Sequence, residues 1–312
     1  MDEIDDQSIR LIITSPPYFN VKDYGVENQI GRKEHSYKEY LNSMVPVWIE
    51  CFRILKPNGK LCINAPIMPM EKKIYSTHYN RDILNINNDI ESTILNETDF
   101  FRFGTLIWDK GSTDQLMMGS YPYPPNFYVL NTTEYINIFV KDGRPEKISK
   151  DKKEKSRLSK EEWRRYIATI WRMAPERNRF HPAPFPVELP KRLIKMYSFQ
   201  NDVIADPFMG SGTTAVAALY TDRQFVGYEI NPGYIAFARK RLESINKNAI
   251  LLNNDNLPAP DYQKLEMLRR VMKDEVFDEP KIIDGLRRGH TTDEILKRLL
   301  NRKKTSKSHK TG

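Results

Sequence analysis

Four consecutive residues, Ser15, Pro16, Pro17 and Tyr18, carry the first chemical signal in the chain. They follow directly on Thr14 and the largely apolar run 9–13, which ends in the manner of a strand. Ser15 offers a hydroxyl oxygen and Pro16 a backbone carbonyl. Pro17 holds the residue before it extended and stiffens the turn. Tyr18 adds a flat face. The set reads as two hydrogen-bond acceptors on a rigid support beside a stacking platform. Taken alone, the four residues read more simply as a Pro-Pro turn capped by a core tyrosine.

A second stretch, 202–220, changes that balance. Val203, Ile204 and Ala205 run as a strand into Asp206, Gly210 and Gly212 make a turn, and a helix opens at Thr213 and Thr214. Glycines let a backbone approach a ligand closely, and the start of a helix presents free N–H groups. Nucleotide-like cofactors use such a turn. The next strand ends on Glu229, about 20 residues on, where a carboxylate can accept both hydroxyls of a ribose. The plainer alternative is a tight strand–helix turn with a surface glutamate. No Gly-Lys-Ser/Thr follows, so the turn is not a phosphate-gripping P-loop.

The elements that must position these residues follow from periodicity. Strand-like runs at 9–14, 60–64, 104–108, 135–141, 202–206, 224–229 and 249–253 alternate with helical stretches at 36–55, 187–198, 212–221 and 232–246. This alternation predicts an α/β fold with a doubly wound, mostly parallel sheet. Residues 68–100 are polar and Asn-rich, 142–165 are dense in lysine and arginine, and 256–312 form a charged, helical extension ending in a disordered basic tail. The 312 residues, 39% apolar, suffice for a sizeable core, and a net charge of +8 favours a polyanionic partner. No apolar stretch approaches the roughly 20 residues of a membrane span, and the acidic start is no leader peptide. Cys51 and Cys62 make neither a metal spacing nor a disulfide framework. The chain reads as a soluble cytoplasmic protein without metal.

The stretch 206–214 resembles the cofactor motif of S-adenosylmethionine-dependent amino-methyltransferases acting on DNA, and 14–18 resembles their catalytic motif. The order in the chain, catalytic motif first, is similar to the β class of that cytosine-N4/adenine-N6 family of restriction–modification systems. Residues 181–198 resemble its segment over the methionine end of the cofactor, and 55–66 and 131–141 resemble its later strands. The likeness covers 9–66, 101–141 and 171–246. It implies a seven-stranded Rossmann-like methyltransferase sheet with a circularly permuted motif order, and S-adenosyl-L-methionine as cofactor. It places Asp206, Phe208, Gly210, Gly212 and Thr213 around the cofactor's amino acid moiety, Glu229 on its ribose, and Pro182 and Phe185 on its methionine side. Ser15, Pro16, Pro17 and Tyr18 become the catalytic loop, on a strand next to that of Asp206.

The chemistry then explains the loop. The lone pair of an exocyclic amine is delocalised into its ring, and methyl transfer makes the nitrogen cationic. Acceptors around it stabilise that charge. A base inside a duplex is out of reach and must be flipped out and stacked. Methylation of a ring carbon needs a cysteine nucleophile, and both cysteines read as core residues. Serine at position 15 and the His181–Pro186 stretch resemble the cytosine-N4 members, with adenine N6 as the alternative. The family's Gly-Asp segment before the catalytic strand is missing, which suggests a truncated frame, or Asp255 in its role.

The resemblance implies double-stranded DNA as partner, a companion restriction endonuclease, and a monomer or homodimer. The candidate target-recognition insertion is 142–170, with Lys152, Lys153, Lys155 and Arg157 on phosphates. The flanking regions are the catalytic half, 1–141, the cofactor half, 171–255, and the extension, 256–312. Rival readings are a small-molecule or RNA methyltransferase, and a DNA-binding protein that has lost catalysis.

Overall fold

The computed structural model describes residues 1–19, 26, 29–31, 35–69, 82–111, 122–125, 129, 131–176 and 185–254. In chain order the elements are β1 (Ile9–Thr14), α1 (Tyr37–Ile54), β2 (Leu55–Pro66), β3 (Met68–Pro69), β4 (Ile83–Leu84), α2 (Ile86–Glu97), β5 (Phe100–Asp109) and β6 (Thr133–Lys141). There follow α3 (Lys150–Lys155), α4 (Lys160–Tyr166), β7 (Ile170–Arg172), α5 (Glu188–Tyr197), β8 (Val203–Asp206), α6 (Thr213–Leu219), β9 (Gln224–Gly227) and α7 (Pro232–Asn254). The chain divides into two units, Met1–Ile245 and Asn246–Gly312, and all the described strands lie in the first.

Seven strands form one sheet in the order β7-β5-β6-β2-β1-β8-β9. Only β6 runs antiparallel to its neighbours. The expected doubly wound, mostly parallel sheet is therefore present. Alternation along β1 and β2 divides the core. Ile9, Ile12, Leu61 and Ile63 pack with Trp48 of α1 and Ile90 of α2. Leu11, Ile13 and Cys62 pack with Leu193 of α5 and Ala217 of α6 on the other face. Strands buried on both faces read as near-continuous apolar runs, which is why β1 is visible in the sequence.

One expectation needs correction, and one region holds a helix the periodicity did not show. Residues 249–253, read as a strand, lie in α7. No glycine or proline falls between 234 and 253 to end that helix, and a short apolar run has no period that separates strand from helix. Within the polar stretch 68–100, α2 buries Ile86, Ile90 and Ile94 at helical spacing, with Asn85 as its N-cap. The expected extension 256–312, with its basic tail, lies outside the described residues.

Candidate active site

β1 and β8 lie side by side and end together, so the loops after Thr14 and Asp206 meet at the carboxyl edge of the sheet. Open α/β sheets bind ligands there. A bridge between side chains joins the two ends. Thr14 Oγ1 donates to Asp206 Oδ1 at 2.7 Å, Thr214 Oγ1 donates to Oδ2 at 2.7 Å, and the Phe208 N–H donates to Oδ1 at 3.0 Å. Asp206 is 1% exposed. Burial pushes its pKa up to about 6, against the pull of those three hydrogen bonds and with a further push from Glu229.

The glycine turn folds over β9. Met209 N–H donates to the Tyr228 carbonyl at 2.8 Å, and Gly210 N–H donates to Glu229 Oε2 at 2.8 Å. Glu229 Oε1 takes the Asn231 N–H, also at 2.8 Å. Gly210 and Gly212 have φ of +52° and +79°, the left-handed region that favours glycine. A Cβ at Gly212 would stand 2.9 Å from that of Ala238, so this glycine admits α7 against the turn. From α7, Arg241 Nη1 donates to the Ser211 carbonyl at 2.9 Å.

On the opposite side, Tyr40 donates to the Pro17 carbonyl at 2.8 Å and fixes the Pro-Pro turn. Ser15 Oγ donates to the Asn64 carbonyl at 3.1 Å and lies 3.0 Å from the Tyr18 hydroxyl. The Tyr18 hydroxyl donates to Glu134 Oε2 at 3.2 Å. Between these two walls lies a cavity of about 200 Å³.

Nearly all the residues anticipated from sequence line this cavity: Ser15, Pro16, Pro17, Tyr18, Phe185, Asp206, Phe208, Gly210, Thr213 and Glu229. Gly212 stands behind it, against Ala238. Pro182 and Asp255 lie outside the described residues. Sequence reasoning missed Gln29, Ile30, Met209, Tyr228 and Ile230 in the lining, and Asn64 and Glu134 behind it. Tyr228 and Ile230 flank Glu229, so a reading of β9's end as one lining segment would have found them. Cys51 and Cys62 are fully buried in the core, where burial pushes both thiols well above their usual range.

The basic candidates are not brought to the cavity. Lys152 donates to the buried Asp202 at 2.7 Å, just before β8 and so at the sheet's other edge. Lys155 pairs with Asp151 at 2.8 Å and Arg157 with Glu154 at 3.3 Å, and Lys153 is exposed. Arg10 pairs with Glu146 and, at 3.4 Å, with Asp202, and Gln200 N–H donates to Ser156 Oγ at 2.8 Å. Among the described residues no helix is long and apolar enough to cross a membrane.

A permuted seven-stranded sheet, with a Ser-Pro-Pro-Tyr loop and an acidic glycine turn facing each other across one cavity, defines a class: the amino-methyltransferases that modify DNA. The chain belongs to the N6_N4_Mtase family of DNA methylases, whose model matches residues 9–240. It is 36% identical over 262 residues to the type II methyltransferase M.MjaI of Methanocaldococcus jannaschii, covering 74% of this chain and 84% of that one. It is 30% identical over 304 residues to M.MthZI of Methanothermobacter thermautotrophicus, covering 86% and 80%. A Thermus thermophilus protein assigned as a DNA modification methylase, crystallised with S-adenosyl-L-methionine, superimposes with a TM-score of 0.64 at 31% identity, over 78% of this chain and 89% of that one. The cytosine-N4-specific PvuII DNA methyltransferase superimposes at 0.57 with 20% identity, over 79% and 86%, a likeness of fold.

Proposed function

We propose that the protein transfers a methyl group from S-adenosyl-L-methionine to the N4 amine of a cytosine flipped out of duplex DNA, as the modification enzyme of a type II restriction–modification system. The carrying observation is the setting of the Ser15 hydroxyl. Its single hydrogen has protein acceptors within reach, the Asn64 carbonyl at 3.1 Å and the Tyr18 oxygen at 3.0 Å, and given to either it leaves Oγ able to accept from a substrate. An oxygen that accepts suits an amine that becomes cationic during transfer. Serine at position 15 supports cytosine, and the type II relatives support the restriction–modification role.

The cavity's donor set fits the cofactor. Asp206 presents a buried carboxylate for an ammonium group, Glu229 a second for ribose hydroxyls, and Phe185 and Phe208 apolar walls. Bound there, S-adenosyl-L-methionine supplies an electrophilic methyl group on a sulfonium. The protein's own part is to hold the amine in line: Ser15 accepts from it, the Pro-Pro turn fixes that acceptor, and Tyr18 borders the base. A thiolate route to ring carbon lacks its nucleophile, because neither cysteine lines the cavity.

Methyl transfer to unmethylated genomic DNA, followed by mass spectrometry of the nucleosides, tests this. N4-methylcytosine is expected. N6-methyladenine would move the target to the other amine, and 5-methylcytosine would overturn the amine chemistry. Ser15→Ala is expected to lower single-turnover rate by about 10- to 100-fold while sparing DNA and cofactor affinity.

A further inference from the structure

The buried carboxylate of Glu134, 116 residues from Tyr18 in sequence, ends in the wall behind the catalytic loop. It stands at the start of β6, opposite Pro66 of β2, and is 8% exposed. Its charge is compensated by donors: Lys110 Nζ reaches Oε1 at 3.0 Å, and Asn64 Nδ2 and the Tyr18 hydroxyl both reach Oε2. A paired and hydrogen-bonded carboxylate is the form in which burial is tolerated.

We infer that Glu134 is a positioning residue that keeps Ser15 an acceptor by claiming the hydrogen of Tyr18. The inference rests on the amine-methylating reading of the site. Tyr18 and Ser15 each own one hydroxyl hydrogen, and their oxygens are 3.0 Å apart. With a carboxylate at Oε2, the Tyr18 hydrogen points to Glu134, since bonds to an ionised acceptor are the stronger ones. The Ser15 hydrogen then stays on protein acceptors, the Asn64 carbonyl or the Tyr18 oxygen, and Oγ of this cavity-lining residue keeps its capacity to accept. Without the carboxylate, the Tyr18 hydrogen turns to Ser15 Oγ and occupies a lone pair that the substrate amine needs. Glu134 thus acts through Tyr18 on Ser15.

Glu134→Gln tests this, because the amide keeps the shape and, with its oxygen held by Lys110, turns its NH2 toward the Tyr18 oxygen. Its single-turnover rate of amine methylation is expected to fall about 10- to 100-fold, with dissociation constants for S-adenosyl-L-methionine and DNA within about threefold of wild type. In a Tyr18→Phe background the same change is expected to cost nothing further, because no tyrosyl hydrogen remains to turn. A purely structural role for Glu134 would give equal losses in both backgrounds and would overturn the inference, as would a wild-type rate for Glu134→Gln. If the glutamine variant does not fold, Glu134→Asp, which withdraws the carboxylate by one methylene, carries the same comparison with the same outcomes. A wild-type protein that forms no methylated amine on DNA removes the reading of the site and this inference together, whereas methylation with equal losses removes the inference alone.

Discussion

At Asp206 the cost of burying a carboxylate falls on the residue proposed to meet the cofactor's ammonium group. Its ordinary value is 3.8, and burial raises it to about 6 in the folded protein. The native state therefore holds this proton more tightly than the unfolded chain does. Stability contributed by the site falls as pH rises from about 4 to 6 and is flat above, a loss of roughly 3 kcal/mol for a shift of about two units. An ammonium group placed against the carboxylate returns part of that loss. We expect affinity for S-adenosyl-L-methionine to tighten between pH 5 and 7 with a bend near 6, measured by calorimetry. Asp206→Asn is expected to melt higher than wild type at pH 8 without ligand, to lose that advantage at pH 5, and to bind the cofactor at least about tenfold more weakly. A cofactor affinity flat across this range would remove Asp206 from the ligand.

The connection from β6 to β7 shows how an element's topology qualifies its composition. Its lysines and arginines suit a phosphate backbone, yet β6 descends to the edge of the sheet opposite the cavity, and α3 is tied there through Lys152 to Asp202 and Ser156 to Gln200. We expect neutralising Lys153, Lys155 and Arg157 together to leave the slope of log DNA affinity against log salt unchanged. A slope reduced by about two to three units would mean that these groups do meet phosphates. Lys152→Ala is expected to destabilise the fold instead, since among the described residues it leaves Asp202 with Arg10 alone as a paired cation. Composition announced the charge but not the edge, because the edge is fixed by the antiparallel pairing of β2 with β6. The same limit hid Glu134: nothing local joins it to Tyr18. What was legible was local and strongly patterned, namely β1, the Ser-Pro-Pro-Tyr turn, the glycine turn and Glu229. Helix α2 also kept an i, i+4 apolar pattern, but the polar residues around it masked the signal.

For the molecule as a whole, the decisive geometry is that both halves of the site rise from one edge of one sheet. The Ser-Pro-Pro-Tyr loop follows the first strand and the glycine turn follows the eighth, yet β1 and β8 are direct neighbours. The order of motifs along the chain is therefore immaterial to the chemistry. The same geometry constrains the substrate. Ser15 and Tyr18 lie in the wall of a cavity, with Tyr18 only 5% exposed, and their hydroxyls face inward toward Asn64 and Glu134. An amine in a stacked, paired base cannot reach them while the duplex stays outside. On the proposed function the base leaves the helix, and the enzyme supplies the free energy of unpairing and unstacking, a few kcal/mol. A target that is already mispaired spares part of that cost, so the difference appears in binding before any chemistry occurs. We expect duplexes carrying a mispaired target base to bind about 10- to 100-fold more tightly than paired ones, measured by equilibrium titration with a non-reactive cofactor analogue. A mispair outside the recognition site should give no gain. Equal affinity for paired and mispaired targets would mean that the amine is reached without extrusion, and the placement of Ser15 and Tyr18 inside the cavity would then need another explanation.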